Sequence, residues 1–143
     1  MFSLPNNVTI IEVGPRDGLQ NEKNEVSTEH KLEFIHALQA SGIQEMEITS
    51  FVSPKWVPQM ADAAAIVERA HKHGRQFVLT PNSKGVERAL QVGAKSVAVF
   101  VGVSNSFNMK NINKTTAQSM AELKPIITNL KKQGYFVRAC IST

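Results

Sequence analysis

The chain has 143 residues, 42% hydrophobic and 20% charged, and its 16 Lys and Arg against 12 Asp and Glu leave a net charge of +4. This is enough apolar material for one soluble domain with its own core, and no apolar run approaches the ~20 residues that cross a bilayer. One cysteine excludes an internal disulfide framework and fits a reducing, cytoplasmic compartment.

The N-terminal MFSLPNN lacks the basic and apolar regions of a secretory signal. The basic residues are scattered, with no arginine-rich run and no aromatic–basic interleaving. Neither nucleic acid nor a membrane is therefore an expected partner. A mildly basic chain suits an anionic small molecule better.

Periodicity predicts one unit repeated along the chain. Residues 8–13 form a β-rich run, followed by a long loop. Ser27 or Thr28 can cap a helix whose apolar positions are Leu32, Ile35 and Leu38, ended by Gly42. Residues 43–50 are a second strand. A proline-bracketed loop then leads to an alanine-rich helix over 62–72, closed by Gly74.

Strand three is expected over 76–80, a short helix over 83–92 and strand four over 96–101. After a longer loop, Thr115 and Gln118 have capping-box spacing. The helix they open reaches about Lys132, with a kink or restart at Pro125, and residues 135–141 are strand five. Strands alternating with helices imply a parallel sheet in one domain spanning 1–143. Two architectures fit: an open doubly wound sheet, or the first five strands of a (β/α)8 barrel. Both put ligand chemistry at the C-terminal ends of the strands.

At the end of the first strand, EVGPRDGLQNE sets Arg16 beside Asp17. An ordinary turn explains Gly, Pro and Asp there. A functional reading makes Asp17 an oxygen ligand for a hard divalent ion and Arg16 a stabiliser of a nearby oxyanion or enolate. In the second strand, Glu47 shares a face with Glu45 and Thr49. A carboxylate in a buried parallel strand needs a partner, and Arg16 at the same rim is the expected one. Glu12 reads as a structural ion-pair member. The loop SFVSPKWVPQM, with the only Trp and two prolines, reads as an apolar plug over the barrel edge or a rigid wall of a pocket, two readings that are compatible.

GPRDGLQNE, then EITSFVSPKWVPQMAD and LTPNSKG, together resemble the 3-hydroxy-3-methylglutaryl-CoA lyases. These belong to a metal-dependent lyase and acyltransferase superfamily of TIM barrels. The resemblance spans essentially the whole chain but only the N-terminal half of such an enzyme. Related isopropylmalate and homocitrate synthases share Arg-Asp-Gly-x-Gln. They usually carry an acidic residue in place of Leu19, and they lack the tryptophan loop.

The resemblance implies a reverse-Claisen cleavage of 3-hydroxy-3-methylglutaryl-CoA to acetoacetate and acetyl-CoA with Mg²⁺ or Mn²⁺. It makes Asp17 a metal ligand, Arg16 the group that polarises the thioester, and Glu47 the residue that orients Arg16. It places Gln20 and Arg138 at the substrate, and Lys110 and Asn111 near the CoA moiety. It also implies an acyl-CoA partner and a homo-oligomer when complete.

The family's histidine metal ligands and catalytic cysteine fall beyond residue 143. The chain alone is therefore expected to be an inactive N-terminal fragment. His71-Lys72-His73 does not stand in for the family's His-x-His pair, because it ends a helix where i and i+2 side chains diverge. Cys140 reads as core, and His30 and His36 as helix surface. Two alternatives remain: a half-barrel binding or scaffold module, and a related acyl-CoA or 2-oxoacid aldolase or synthase.

Overall fold

A computed structural model describes residues 4–142. The elements are α1 (Thr28–Ala40), β1 (Glu45–Ser50), α2 (Ala63–Arg69), β2 (Arg75–Leu79), α3 (Ser83–Gln91), β3 (Ser96–Gly102), α4 (Asn105–Ile112), α5 (Thr116–Lys132) and β4 (Phe136–Ser142). The strands form one parallel sheet in the order β1-β2-β3-β4.

The two faces of the sheet decide between the architectures. Met46, Ile48, Val78, Val97 and Val99 pack in one cluster with Leu32 and Ile35 of α1, Ile66 of α2, Val86 of α3, and Leu123 and Leu130 of α5. The opposite face carries only a small cluster, Phe77, Leu79 and Ala98, edged by Ile11 and Phe100. A doubly wound sheet has helices on both faces. Helices on one face of sequentially ordered parallel strands are the outer layer of a barrel, here an unclosed part of one.

The expected first strand is the main departure. Only Glu12 pairs, bridging Met46 through Glu12 N–H to the Glu45 carbonyl (3.0 Å) and Glu47 N–H to the Glu12 carbonyl (2.8 Å). Val8 and Ile10 stay 79% and 74% exposed. Their apolar side chains find nothing on the outer side of the sheet to bury against, so the run gains little by pairing. The described strands therefore number four rather than five.

Two helices also differ. The segment after β3, expected as loop, contains α4. Its N-cap Ser104 accepts from Phe107 N–H at 3.2 Å, and Asn113 ends it in the left-handed conformation. Asparagine-rich sequence has low helix propensity, and these caps supply what propensity does not. In α5 the Thr115–Gln118 capping box is present. The helix runs unbroken through Pro125, where Ala121 and Pro125 are exposed, so water can satisfy the carbonyl freed by proline.

Helix α2 stops at Arg69, short of the expected Lys72. The carbonyl of His71 is taken by the side chains of Gln39 (3.1 Å) and Gln76, and its N–H by His36 Nε2 (3.3 Å). His71 and His73 therefore lie beyond the helix rather than ending it. Gly74, at φ +61°, follows them where a Cβ would run into the Gln44 backbone carbonyl.

Candidate active site

After Val13 the chain leaves the sheet in a π-helical turn, Gly14–Gly18. The N–H groups of Arg16, Asp17 and Gly18 all point at the Val13 carbonyl, at 3.1, 2.6 and 3.4 Å. Glu12 Oε1 accepts from Gly14 N–H at 2.6 Å, so Glu12 braces the turn. Among the described residues it forms no ion pair, contrary to expectation.

The turn aims Arg16 inward at Glu47, as its type and position led us to expect. Glu47 is fully buried. Its Oε1 accepts from Arg16 Nε, and its Oε2 from Arg138 Nη1 at 2.9 Å. Arg16 Nη1 also donates to Asp17 Oδ1 at 2.7 Å. The four groups form an alternating row, Asp17–Arg16–Glu47–Arg138, that cancels its own charge. A carboxylate with no water contact is tolerable when both oxygens meet charge-assisted donors. Beneath it Phe77 supplies an apolar floor, with the Arg138 guanidinium 5.9 Å from its ring centre.

The row grades from buried to open. The side chain of Glu47 is 0% exposed, Arg16 15%, Arg138 28% and Asp17 55%. The guanidinium of Arg16 is thus fixed on two edges, at Nε and Nη1. Chemically the arrangement is a rigid cation at the rim of a concave, partly apolar face, suited to stabilising negative charge on an oxygen.

Gln20 is half-buried in the following loop, and Asn21 Nδ2 ties that loop back to the Asp17 carbonyl at 2.8 Å. Gln20, Glu22, Lys23 and Glu25 face Trp56, Val57 and Pro58 across a cleft of about 370 Å³. Trp56 is 87% exposed, whereas Phe51 and Met60 at the two ends of the loop are buried. Lys110 and Asn111 lie exposed on α4 beyond the C-terminal end of β3. They share the rim with Arg16 but make no side-chain bond to its cluster.

Among the described residues no group of three or more His, Cys, Asp and Glu side chains converges. His36 stacks on His71 with ring centres 3.9 Å apart, so it is a contact between α1 and the segment after α2, not free surface. His30 is exposed as expected. Cys140 is half-buried rather than core. Burial pushes its thiol up, against the opposing pull of Arg138, so it is not an activated nucleophile.

Three supporting residues escaped the sequence reading. Asn108 is fully buried. It accepts from Gly102 N–H (2.8 Å) and donates to the Gly102 carbonyl (3.2 Å) and Thr116 Oγ1 (3.0 Å), fastening α4 and α5 to the end of β3. Lys31, 5% exposed, donates to the Gln59 carbonyl and to Asp62 Oδ1 (2.9 Å). Gln59 is also buried and bonds across to residues 24 and 26. The SFVSPKWVPQM loop drew notice for its prolines and tryptophan, whereas the places of Gln59 and Asp62 are explained only by partners distant in sequence, residues 24 and 26 for the one and Lys31 for the other.

A family model described as HMGL-like matches residues 7–141. Over 141 residues the chain is 48% identical to the mitochondrial hydroxymethylglutaryl-CoA lyase of Arabidopsis thaliana, covering 97% of this chain and 30% of that protein. It is 45% identical over 144 residues to the cytoplasmic 3-hydroxy-3-methylglutaryl-CoA lyase of Rattus norvegicus, covering 99% and 42%. The crystal structure of the Bacillus subtilis HMG-CoA lyase superposes with a TM-score of 0.90 at 42% identity, over 97% of this chain and 47% of that one. The chain thus spans less than half the length of each of these three proteins.

Proposed function

The chain belongs to the HMGL-like family, and on that premise we propose that it carries the arginine-bearing part of a hydroxymethylglutaryl-CoA lyase active site. In this reading residues 1–143 are the N-terminal part of a single barrel domain. The reaction cleaves 3-hydroxy-3-methylglutaryl-CoA to acetoacetate and acetyl-CoA. The observation that carries the reading is the Arg16–Glu47–Arg138 cluster, in which Arg16 leaves the turn after Glu12 to meet Glu47 of β1 and, through it, Arg138 of β4 on the face of the sheet opposite the helices.

The chemistry asks for such a group. The tertiary hydroxyl loses its proton, its oxygen becomes the ketone of acetoacetate, and the broken carbon–carbon bond leaves its electron pair on the acetyl thioester. That pair is held as an enolate until a proton arrives. Arg16, immobilised by Glu47, is the proposed donor to the enolate oxygen. It needs no reorganisation as charge develops, which is where electrostatic catalysis gains most. Glu47 and Arg138 fix its direction, and Arg138 and Gln20 are the proposed substrate contacts. Lys110 and Asn111 are assigned to the CoA phosphates, where a cation and an amide suit an anion.

Mg²⁺ or Mn²⁺, implied by the resemblance, would find one exposed carboxylate here, Asp17, already paired with Arg16. Among the described residues Asp17 belongs to no group of three or more His, Cys, Asp and Glu side chains. These residues do not by themselves fit a selective divalent site, which takes several oxygens, and no step above is routed through one. The isolated chain is accordingly proposed to be inactive. The single free cysteine goes with a cytoplasmic setting, and a homo-oligomer is proposed for the complete protein.

The test is a hybrid in which this chain replaces the matching segment of the Bacillus subtilis enzyme. Acetoacetate and acetyl-CoA should appear in equal amounts from 3-hydroxy-3-methylglutaryl-CoA. A folded hybrid that releases neither would overturn the reading.

A further inference from the structure

We propose that Gln59 is a positioning residue that clamps the tryptophan loop to the loop following Asp17, and so sets the width of the acyl-CoA mouth. The inference rests on the lyase reading for its functional half, while its structural half stands alone.

The side chain of Gln59 imitates a strand. Its Oε1 accepts from Val26 N–H at 2.9 Å and its Nε2 donates to the Asn24 carbonyl at 3.0 Å. One buried amide therefore satisfies both backbone groups that a β-bridge would have satisfied, across 33 and 35 residues of sequence. The residue is itself held from behind. Its carbonyl accepts from the buried Lys31 ammonium, which also binds Asp62, and Asp62 Oδ2 accepts from Thr28 Oγ1 at 2.8 Å. With its backbone pinned on the α1 side, Gln59 has only its side chain free to reach outward.

What it reaches is the loop that leads to the candidate site. Residues 24 and 26 end the segment whose start is bonded to the Asp17 carbonyl through Asn21. Trp56 and Pro58 stand just before Gln59 in its own loop. The clamp therefore closes the base of the cleft between Gln20 and Lys23 on one side and Trp56 on the other. Without it the two walls share no other side-chain bond among the described residues. A mobile wall weakens binding before it weakens chemistry, because the Arg16 cluster is anchored separately by Glu47.

The experiment uses two substitutions in the 143-residue chain. Gln59→Met keeps the volume and removes both bonds, whereas Gln59→Glu keeps the acceptor for Val26 N–H. Backbone hydrogen exchange at Val26 should be slow in the wild type and intermediate in Gln59→Glu, which loses the donor to the Asn24 carbonyl. In Gln59→Met it should rise at least about tenfold, the factor expected when roughly 1.4 kcal/mol of hydrogen bonding is lost. Amides of β2 serve as the folding control.

The fluorescence anisotropy of Trp56, the only tryptophan, should fall in Gln59→Met as its loop is released. In the hybrid enzyme Gln59→Met should raise KM about tenfold with kcat within about threefold. Val26 exchanging at open-loop rates in the wild type, or unchanged KM with a released loop, would overturn the proposal. A silent hybrid would sink the lyase reading but leave the exchange result to decide the clamp.

Discussion

Arg138 Nη1 lies 2.9 Å from the same Glu47 carboxylate that Arg16 holds, although 91 residues separate Arg138 from Glu47 in the chain. The contact spans the concave face of the sheet, from β1 to β4. It makes one buried carboxylate the hub for two guanidinium groups that approach from opposite edges.

That geometry has an energetic consequence. Glu47→Ala strands two arginines beside a buried void, and we expect a loss of about 3–5 kcal/mol in denaturant unfolding. Arg138→Met leaves Glu47 still paired with Arg16 and should cost clearly less. Equal losses in the two variants would mean that Glu47 is not the hub.

Asn108 offers a second check. Asn108→Ala removes bonds to both backbone groups of Gly102 and to Thr116. Losing the Asn108 partner of the buried Gly102 N–H costs about 1–3 kcal/mol before relaxation, while the Gly102 carbonyl keeps the Thr116 hydroxyl at 3.1 Å. Exchange at the Gly102 amide should accelerate, and the rim helix α4 should lose protection before α1 does. Unchanged protection in α4 would show that its caps suffice.

A pH effect follows from the stacked histidines. Burial, and then the neighbouring His71, hold the His36 pKa below the ordinary imidazole value near 6.5. The unfolded chain therefore takes up this proton at higher pH than the folded one. The stability involved is fully present above about pH 6.5 and is lost as pH falls through the lowered value. His36→Gln should flatten the melting temperature between pH 7 and 5. Glu29 acts in a separate, lower window. A backbone hydrogen bond and then Arg69 lower its pKa, so its contribution is lost only as pH falls below the usual carboxylate range.

Much of this was legible in the sequence, for physical reasons. Helix ends carry local chemistry, so the Ser27 cap, the Thr115–Gln118 box and the positive-φ glycines at 42, 93 and 134 could be read from a few residues each. The partnership of Glu47 with Arg16 followed from the cost of burying a lone carboxylate. The first strand misled because β-propensity records fitness for a half-buried surface, and Val8 and Ile10 have no surface to meet. The α4 helix and the Gln59 clamp were invisible because each depends on contacts distant in sequence or on caps that outweigh weak propensity.

Arg16 is the proposed holder of the enolate, and the lyase reading depends on it most directly. The deciding measurement is acetoacetate release by the Bacillus subtilis hybrid carrying either the wild-type segment or Arg16→Met, with thermal unfolding recorded for both. Arg16→Met should lower kcat by about a hundredfold or more, as for removal of an oxyanion donor, in a protein that still unfolds cooperatively. An Arg16→Met hybrid that turns over within a few-fold of wild type would contradict this role of Arg16.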